Sequence, residues 1–290
     1  MAFDKEKLDL DDLVNIYTLR DSPVKEESKS GNQIRVVETG EQTYFLKYRI
    51  SDQKQYTKKD ILEFNKNKKG CISHKYRLSQ EKRDLPKLFE QEAKTLRLWE
   101  KEGVPTPRVK QTDYDSFILL DYLEESQTLT RLLHGSKRNA NMQPFYDLLE
   151  NYRNCVRENS GEFTVLHNDL HPGNILYEPR DEKFLFIDPG LAVDENIDTN
   201  ELDAYFNLVF MYSMIGNYFI RDDENMDVRK DIVNTYSDIL SSSERETMKR
   251  LNEAVDDDVL DRYKENNVAS RIRWFSAYKT ENFKYIDNLL

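Results

Sequence analysis

The sequence predicts an α+β fold in two unequal parts, a small β-rich first portion and a larger, mostly helical second one. Three observations carry this expectation. Residues from Ile34 to Ile50 alternate in the manner of a β-hairpin, one strongly one-sided helix follows from about Leu85 to Lys101, and helical patterns dominate from Asn200 to the end with no internal repeat.

Taking the chain in order, Leu8, Leu10, Leu13 and Ile16 form a short helical period that turns polar at Asp21, Ser22 and Pro23. Ile34-Arg-Val-Val, a turn at Gly40-Glu41 and Thr43-Tyr-Phe-Leu-Lys-Tyr-Arg-Ile50 then read as a hairpin, because β-branched and aromatic residues fit a pleated, half-buried surface. Its second strand carries Lys47. Residues 51 to about 83 are rich in Lys, Asp, Asn and Gln and read as a charged insert. In the next helix Leu88, Phe89, Glu92, Leu96 and Trp99 recur at three- and four-residue steps, and Gly103 and Pro105 stop it. Trp99, like the Tyr and Phe positions from Tyr205 to Tyr218, is expected in the core.

Ser116-Phe-Ile-Leu-Leu-Asp-Tyr-Leu123 is an apolar strand that ends in the polar break Glu124-Glu125-Ser126, a segment able to join two lobes. The division expected is therefore 1–122 for the first lobe and 123–290 for the second. Phe145 to Tyr152 reads as helix, Val165-Leu166 and Ile175-Leu176-Tyr177 as short strands about a polar loop, and Phe184 to Ile187 as another strand.

Composition narrows the class. The chain has 290 residues, 38% of them apolar, enough for one large domain or two modest lobes. Seventeen Tyr and 14 Phe argue against disorder despite 33% charged residues. A net charge of -11 disfavours nucleic acid bound through a continuous phosphate-contacting face. Lys54, Lys58, Lys59, Lys66, Lys68, Lys69 and Lys75 form a basic stretch that reads as part of the solvated insert, with contact to RNA or an acidic protein as the alternative. Asp256 to Asp258 reads as a solvated face, or as a lure for a cationic substrate. Cys71 and Cys155 have no metal-type spacing, and no apolar run approaches the roughly 20 residues that span a bilayer, so a cytoplasmic protein without membrane contact is expected.

The chemistry is concentrated in His167-Asn-Asp-Leu-His-Pro-Gly-Asn174, followed by Phe186-Ile-Asp188-Pro-Gly190. This fits the spacing H-x-D-x-x-x-x-N of a kinase catalytic loop, with Asp188-Pro-Gly where Asp-Phe-Gly stands in that pattern. Phosphoryl transfer needs cations to absorb phosphate charge and a group that orients the attacking hydroxyl. Asp169 suits the second task, and Asn174 and Asp188 supply oxygen donors for magnesium, or manganese. Lys47 can reach phosphates and Glu92 can pair with it. Glu90 is the rival, set aside because Glu92 precedes Ala93 and lies one turn before Leu96 on the apolar face. Pro172 and Gly173 break any helix that would align His167 with His171 on a zinc ion. His167 is expected to be structural, bonded to backbone near Asp188, and His171 to help neutralise phosphate. Asp203 reads either as a brace for the catalytic loop or as an outward helix carboxylate.

At these residues the chain resembles the protein-kinase-like superfamily over about residues 28 to 220. The loop is most similar to that of aminoglycoside and choline phosphotransferases, commonly His-Gly-Asp-Leu-His-Pro-Gly-Asn, whereas ordinary protein kinases have Lys where His171 stands. Lys75-Tyr-Arg, Glu92-Ala, Gly103-Val-Pro-Thr-Pro and Asn200-Glu-Leu-Asp-Ala-Tyr-Phe resemble instead the small atypical kinases of the RIO type and of the tRNA-threonylcarbamoylation complex. The resemblance implies a two-lobed kinase-like fold and transfer of the γ-phosphate of ATP to a hydroxyl, of a small molecule or, alternatively, of a protein. It also implies Lys47, Glu92, Gly31, Asp121 and Leu123 as nucleotide contacts. The chain departs from the pattern in two places. Only Ser28, Ser30 and Gly31 occupy the place of a glycine-rich loop, and Pro189 replaces an aromatic residue, its fixed φ arguing for a permanently formed site. A nucleotide-binding pseudokinase acting as a binding module is the reading these departures favour.

Overall fold

A computed structural model describes residues 32–39, 42–49, 87–113, 117–134, 141–189, 198–215, 225–253 and 285–290. The expected N-terminal helix, the Gly40-Glu41 turn, the lysine-rich insert, Gly31, Gly190, Tyr218 and Asp256 to Asp258 lie outside these residues.

Strands β1 (Asn32–Thr39) and β2 (Gln42–Arg49) pair antiparallel over their full length. With β3 (Val109–Asp113) and β4 (Phe117–Asp121) they form a four-stranded sheet in the order β1-β2-β4-β3. Across β2 and β4 the register sets Lys47 opposite Ile118 and Tyr44 opposite Asp121. Because strand side chains alternate, buried Leu46 and buried Lys47 leave β2 on opposite faces. Helix α1 (Lys87–Lys101) packs beside this sheet, with Phe89, Ala93, Leu96 and Trp99 all buried. It ends at Gly103, whose φ of +77° is the left-handed conformation a helix terminus needs and glycine adopts without strain.

A second, three-stranded sheet takes the order β5-β6-β7, from Gln127–Thr128, Ile175–Glu178 and Lys183–Phe186. The β6–β7 turn is closed by buried Glu178, whose carboxylate accepts the backbone N–H groups of Arg180 and Asp181 at 3.0 and 3.1 Å. The remainder is helical: α2 (Leu129–His134), α3 (Gln143–Glu158), α4 (Thr199–Ile215), α5 (Met226–Ile239) and α6 (Ser242–Glu253). Helix α4 is apolar nearly all round and is accordingly the central helix, buried from Leu202 to Leu208 and from Phe210 to Ile215. Its start is capped by Asp198, which accepts from Asn200 N–H at 2.8 Å, and its last carbonyls, Met214 and Ile215, receive the buried Arg229 guanidinium.

The α+β class is therefore the one the sequence predicts, with the antiparallel sheet first and mostly helix after it. Two local readings change. Val165-Leu166 is not a strand: Phe163–Val165 forms a 3-10 turn, which lets Trp99 donate its indole N–H to the Val165 carbonyl at 2.9 Å. Strand β3 went unread, because Val-Lys-Gln-Thr-Asp at a sheet edge has almost no apolar alternation. Among the described residues no helix is long and apolar enough to cross a membrane.

Candidate active site

Lys47 is buried and its ammonium donates to Glu92 Oε2 at 2.9 Å and to Asp188 Oδ1 at 3.0 Å. Strand β2 supplies the lysine, α1 the glutamate, and the segment just past β7 the aspartate. Burial by itself would lower the lysine's pKa. The charges of Asp188 and then Glu92 more than offset that, so its pKa rises and the ammonium is retained. Glu90, the rival, turns to the surface and pairs with Lys94 at 2.6 Å, one turn along the same helix.

Asp188 has φ +48°, a left-handed backbone that Asp tolerates better than most side chains. It is held on both sides. Ile187 N–H donates to the Asn174 carbonyl at 3.0 Å, and the Pro189 carbonyl accepts from Asn168 N–H at 2.6 Å. Asn174, nearly buried, donates its amide to the Asp169 carbonyl at 2.9 Å and approaches Asp169 Oδ2 at 3.4 Å. With that nitrogen engaged, the amide oxygen is the group left to act as a ligand. The Asp169 side chain is 55% exposed, open to a reactant.

The two histidines have separate tasks. His171 caps the 3-10 turn Pro172–Asn174, its Nδ1 accepting Gly173 N–H at 3.0 Å. The proton of a neutral imidazole then sits on Nε2, 3.6 Å from Asp169 Oδ2. Gly173 leaves room for that ring, because a Cβ there would lie 2.8 Å from His171 Cε1 and would force the imidazole to shift. His167 is fully buried against Trp99 and Phe186, with ring centroids 5.3 Å from each, and its backbone N–H donates to the Tyr152 hydroxyl at 2.8 Å. Burial holds its pKa down to about 4, and the charges of Asp169 and Asp188 do not offset that, so it is neutral at pH 7.

The structure thus brings Lys47, Glu92, Asp169, Asn174 and Asp188 together. Asp121 ends β4, where its N–H donates to the Arg108 carbonyl at 3.1 Å and its carboxylate pairs with Lys110 at 3.0 Å. The Leu123 carbonyl, just beyond, accepts from Ser126 N–H at 3.3 Å. Asp203 neither braces the loop nor points outward. It is buried and grips Arg153 through two bonds of 2.7 Å, because α3 and α4 enclose both side chains. The sequence reading missed this pair, and it also missed Thr106, whose hydroxyl donates to the Phe186 carbonyl at 3.0 Å.

Among the described residues no three His, Cys, Asp or Glu side chains converge as a metal cage. A carboxylate and an amide oxygen beside an ammonium suit magnesium of the kind that is completed by phosphate oxygens and water.

Neither a family model nor a curated protein matches the sequence. Solved structures do resemble the fold. The pseudokinase domain of BIR2, an immune regulator of the RLK/Pelle family, aligns at a TM-score of 0.39 and 12% identity over 99% of this chain and 87% of its own. Spectinomycin phosphotransferase APH(9)-Ia, solved with ADP and spectinomycin, aligns at 0.38 and 13% over 92% of each chain. Choline kinase LicA from Streptococcus pneumoniae gives 0.38 and 12% over 90% of this chain and 92% of its own.

Proposed function

We propose that this protein is a magnesium-dependent phosphotransferase that moves the γ-phosphate of ATP to a hydroxyl of a small molecule. The observation that carries the reading is the buried Lys47 ammonium held between Glu92 and Asp188, with Asp188 tied through Ile187 to the loop that carries Asn174 and Asp169. Magnesium, when bound, would neutralise charge on the phosphate oxygens, and Asp188 and Asn174 would hold it. Lys47 binds phosphate and Glu92 keeps its ammonium in place. Asp169 orients the acceptor hydroxyl and takes its proton as the new O–P bond forms and the bond to the leaving ADP oxygen breaks. His171, in the position where ordinary protein kinases have lysine, supports the small-molecule acceptor.

The test is to incubate the full chain with ATP and magnesium in a metabolite extract and with cellular protein, and to follow phosphate by mass spectrometry. A phosphorylated metabolite that is absent with Asp169→Ala is expected. Label found in protein alone would replace the small-molecule reading with a protein-kinase one. No transfer to either pool, with ATP still bound, would leave the chain a nucleotide-binding module.

A further inference from the structure

Helix α1 touches the site at both ends. Glu92 and Trp99 are seven residues apart, two turns and about 10 Å along one face. Glu92 meets Lys47, while Trp99 donates to the Val165 carbonyl just before the catalytic loop and packs on His167 and Phe186 at 5.3 and 5.8 Å.

The chain leaving α1 continues the connection. Val104 N–H closes onto the Trp99 carbonyl at 2.8 Å, and the next two residues then take both backbone groups of Phe186. Pro105 carbonyl accepts Phe186 N–H at 3.1 Å, and Thr106 hydroxyl donates to Phe186 carbonyl at 3.0 Å. Phe186 is two residues before Asp188, and Ile187 between them is bonded to Asn174. The segment from the end of β7 to the metal-type aspartate is therefore gripped by the exit of α1 on one side and by the catalytic loop on the other.

We propose that Thr106 and Trp99 are positioning residues that join the helix of Glu92 to the segment of Asp188, so that Lys47, Glu92, Asp188 and Asn174 form one preassembled frame. The consequence is that rigid-body displacement of α1, which would carry Glu92 away from Lys47, must also release Val165 and Phe186. Control by displacement of this helix is thereby disfavoured. This inference rests on the proposed phosphotransferase reading for its effect on magnesium-ATP, but not for the mechanical tie.

Thr106→Val keeps the side-chain shape and removes only the hydroxyl, and Thr106→Ser restores it. Trp99→Phe keeps an aromatic ring and loses the indole donor. In the full chain, hydrogen–deuterium exchange over residues 183–189 should rise in Thr106→Val and return to the wild-type rate in Thr106→Ser, and Trp99→Phe should raise exchange over 163–168. By calorimetry, Thr106→Val should weaken ATP binding in magnesium about fivefold to tenfold, the scale of one lost hydrogen bond, and leave binding without magnesium unchanged. Unchanged exchange in Thr106→Val overturns the tie, and raised exchange with unchanged magnesium-ATP affinity overturns the positioning role. Wild-type protein that binds no ATP under any condition fails the phosphotransferase reading instead, and exchange then decides the tie alone.

Discussion

Lys47 and Arg153 are both buried cations set between two carboxylates, yet their surroundings differ in one respect that separates function from architecture. Around Arg153 each acid is multiply bonded and mostly buried, with the Asp203 and Glu244 side chains 9% and 18% exposed. Asp203 accepts two guanidinium bonds and the Asn207 amide, Asn207 accepts the Tyr236 hydroxyl, and Glu244 takes Arg153, Arg157 and the Ser241 N–H. Around Lys47 the second acid, Asp188, has a side chain 48% exposed, and it adjoins the half-exposed Asp169. The first cluster borders a cavity of about 380 Å³, but its acids are engaged by protein partners and tie α3, α4 and α6 together. The second presents two half-exposed carboxylates at the surface, as the proposed site for phosphate and a divalent ion requires.

The contrast is broken most severely by Asp169→Asn. If Asp169 is the general base of the proposed transfer, its loss should cut turnover by about 10²- to 10⁴-fold. The side chain is largely exposed, so the thermal midpoint should stay at the wild-type value, and a calorimetric scan beside a phosphate-transfer assay checks both.

The Arg153 cluster should respond in the opposite sense. Arg153→Met strands Asp203 and Glu244 without their cation, and removing one partner of a buried ion pair costs about 3–5 kcal/mol. Urea unfolding should show that loss. A variant that unfolds at the wild-type midpoint would mean the cluster contributes nothing net to stability. No alternation or motif in the sequence points to this cluster: the partners of Arg153 are 50 and 91 residues away, and an arginine in Asn-Tyr-Arg-Asn reads as a surface residue. The candidate site was more legible because its chemistry imposes local spacing. His167 to Asn174 and Asp188 are read directly, Lys47 and Glu92 follow from their order ahead of that loop in a kinase-like pattern, and the helix period decides for Glu92 over Glu90. Thr106 was hidden for the same reason as Arg153, since its partner Phe186 is 80 residues on.

Acid should separate the two regions. His167 has its pKa depressed by burial from 6.5 to about 4, so the unfolded chain takes up a proton first as pH falls. Stability from this group is complete above about pH 6.5 and is lost between there and about pH 4, by about 3 kcal/mol in all. Glu244 is desolvated, which alone would raise it, but Arg157 and Arg153 hold it down at about 2 from 4.5. Its contribution is therefore present above pH 4.5 and lost between there and about pH 2. Unfolding free energy measured by denaturant at successive pH values should fall in these two windows, and His167→Gln should flatten only the upper one.

The finest comparison lies on α1 itself, between two glutamates two residues apart. Glu92 is buried against Lys47, and Glu90 meets Lys94 at the surface across one helical turn. Exposed pairs at this spacing contribute about 0.3–0.5 kcal/mol, and salt screens them. Glu90→Gln should therefore lower stability by no more than that, less still in 1 M salt, with phosphate transfer unchanged. Glu92→Gln removes the charge that steadies a buried ammonium, and should reduce ATP affinity in both low and high salt because water does not reach the pair. If salt abolished the Glu92→Gln effect as it does that of Glu90→Gln, Lys47 would be solvated in solution and the frame around it looser than the bonds at 2.9 and 3.0 Å imply.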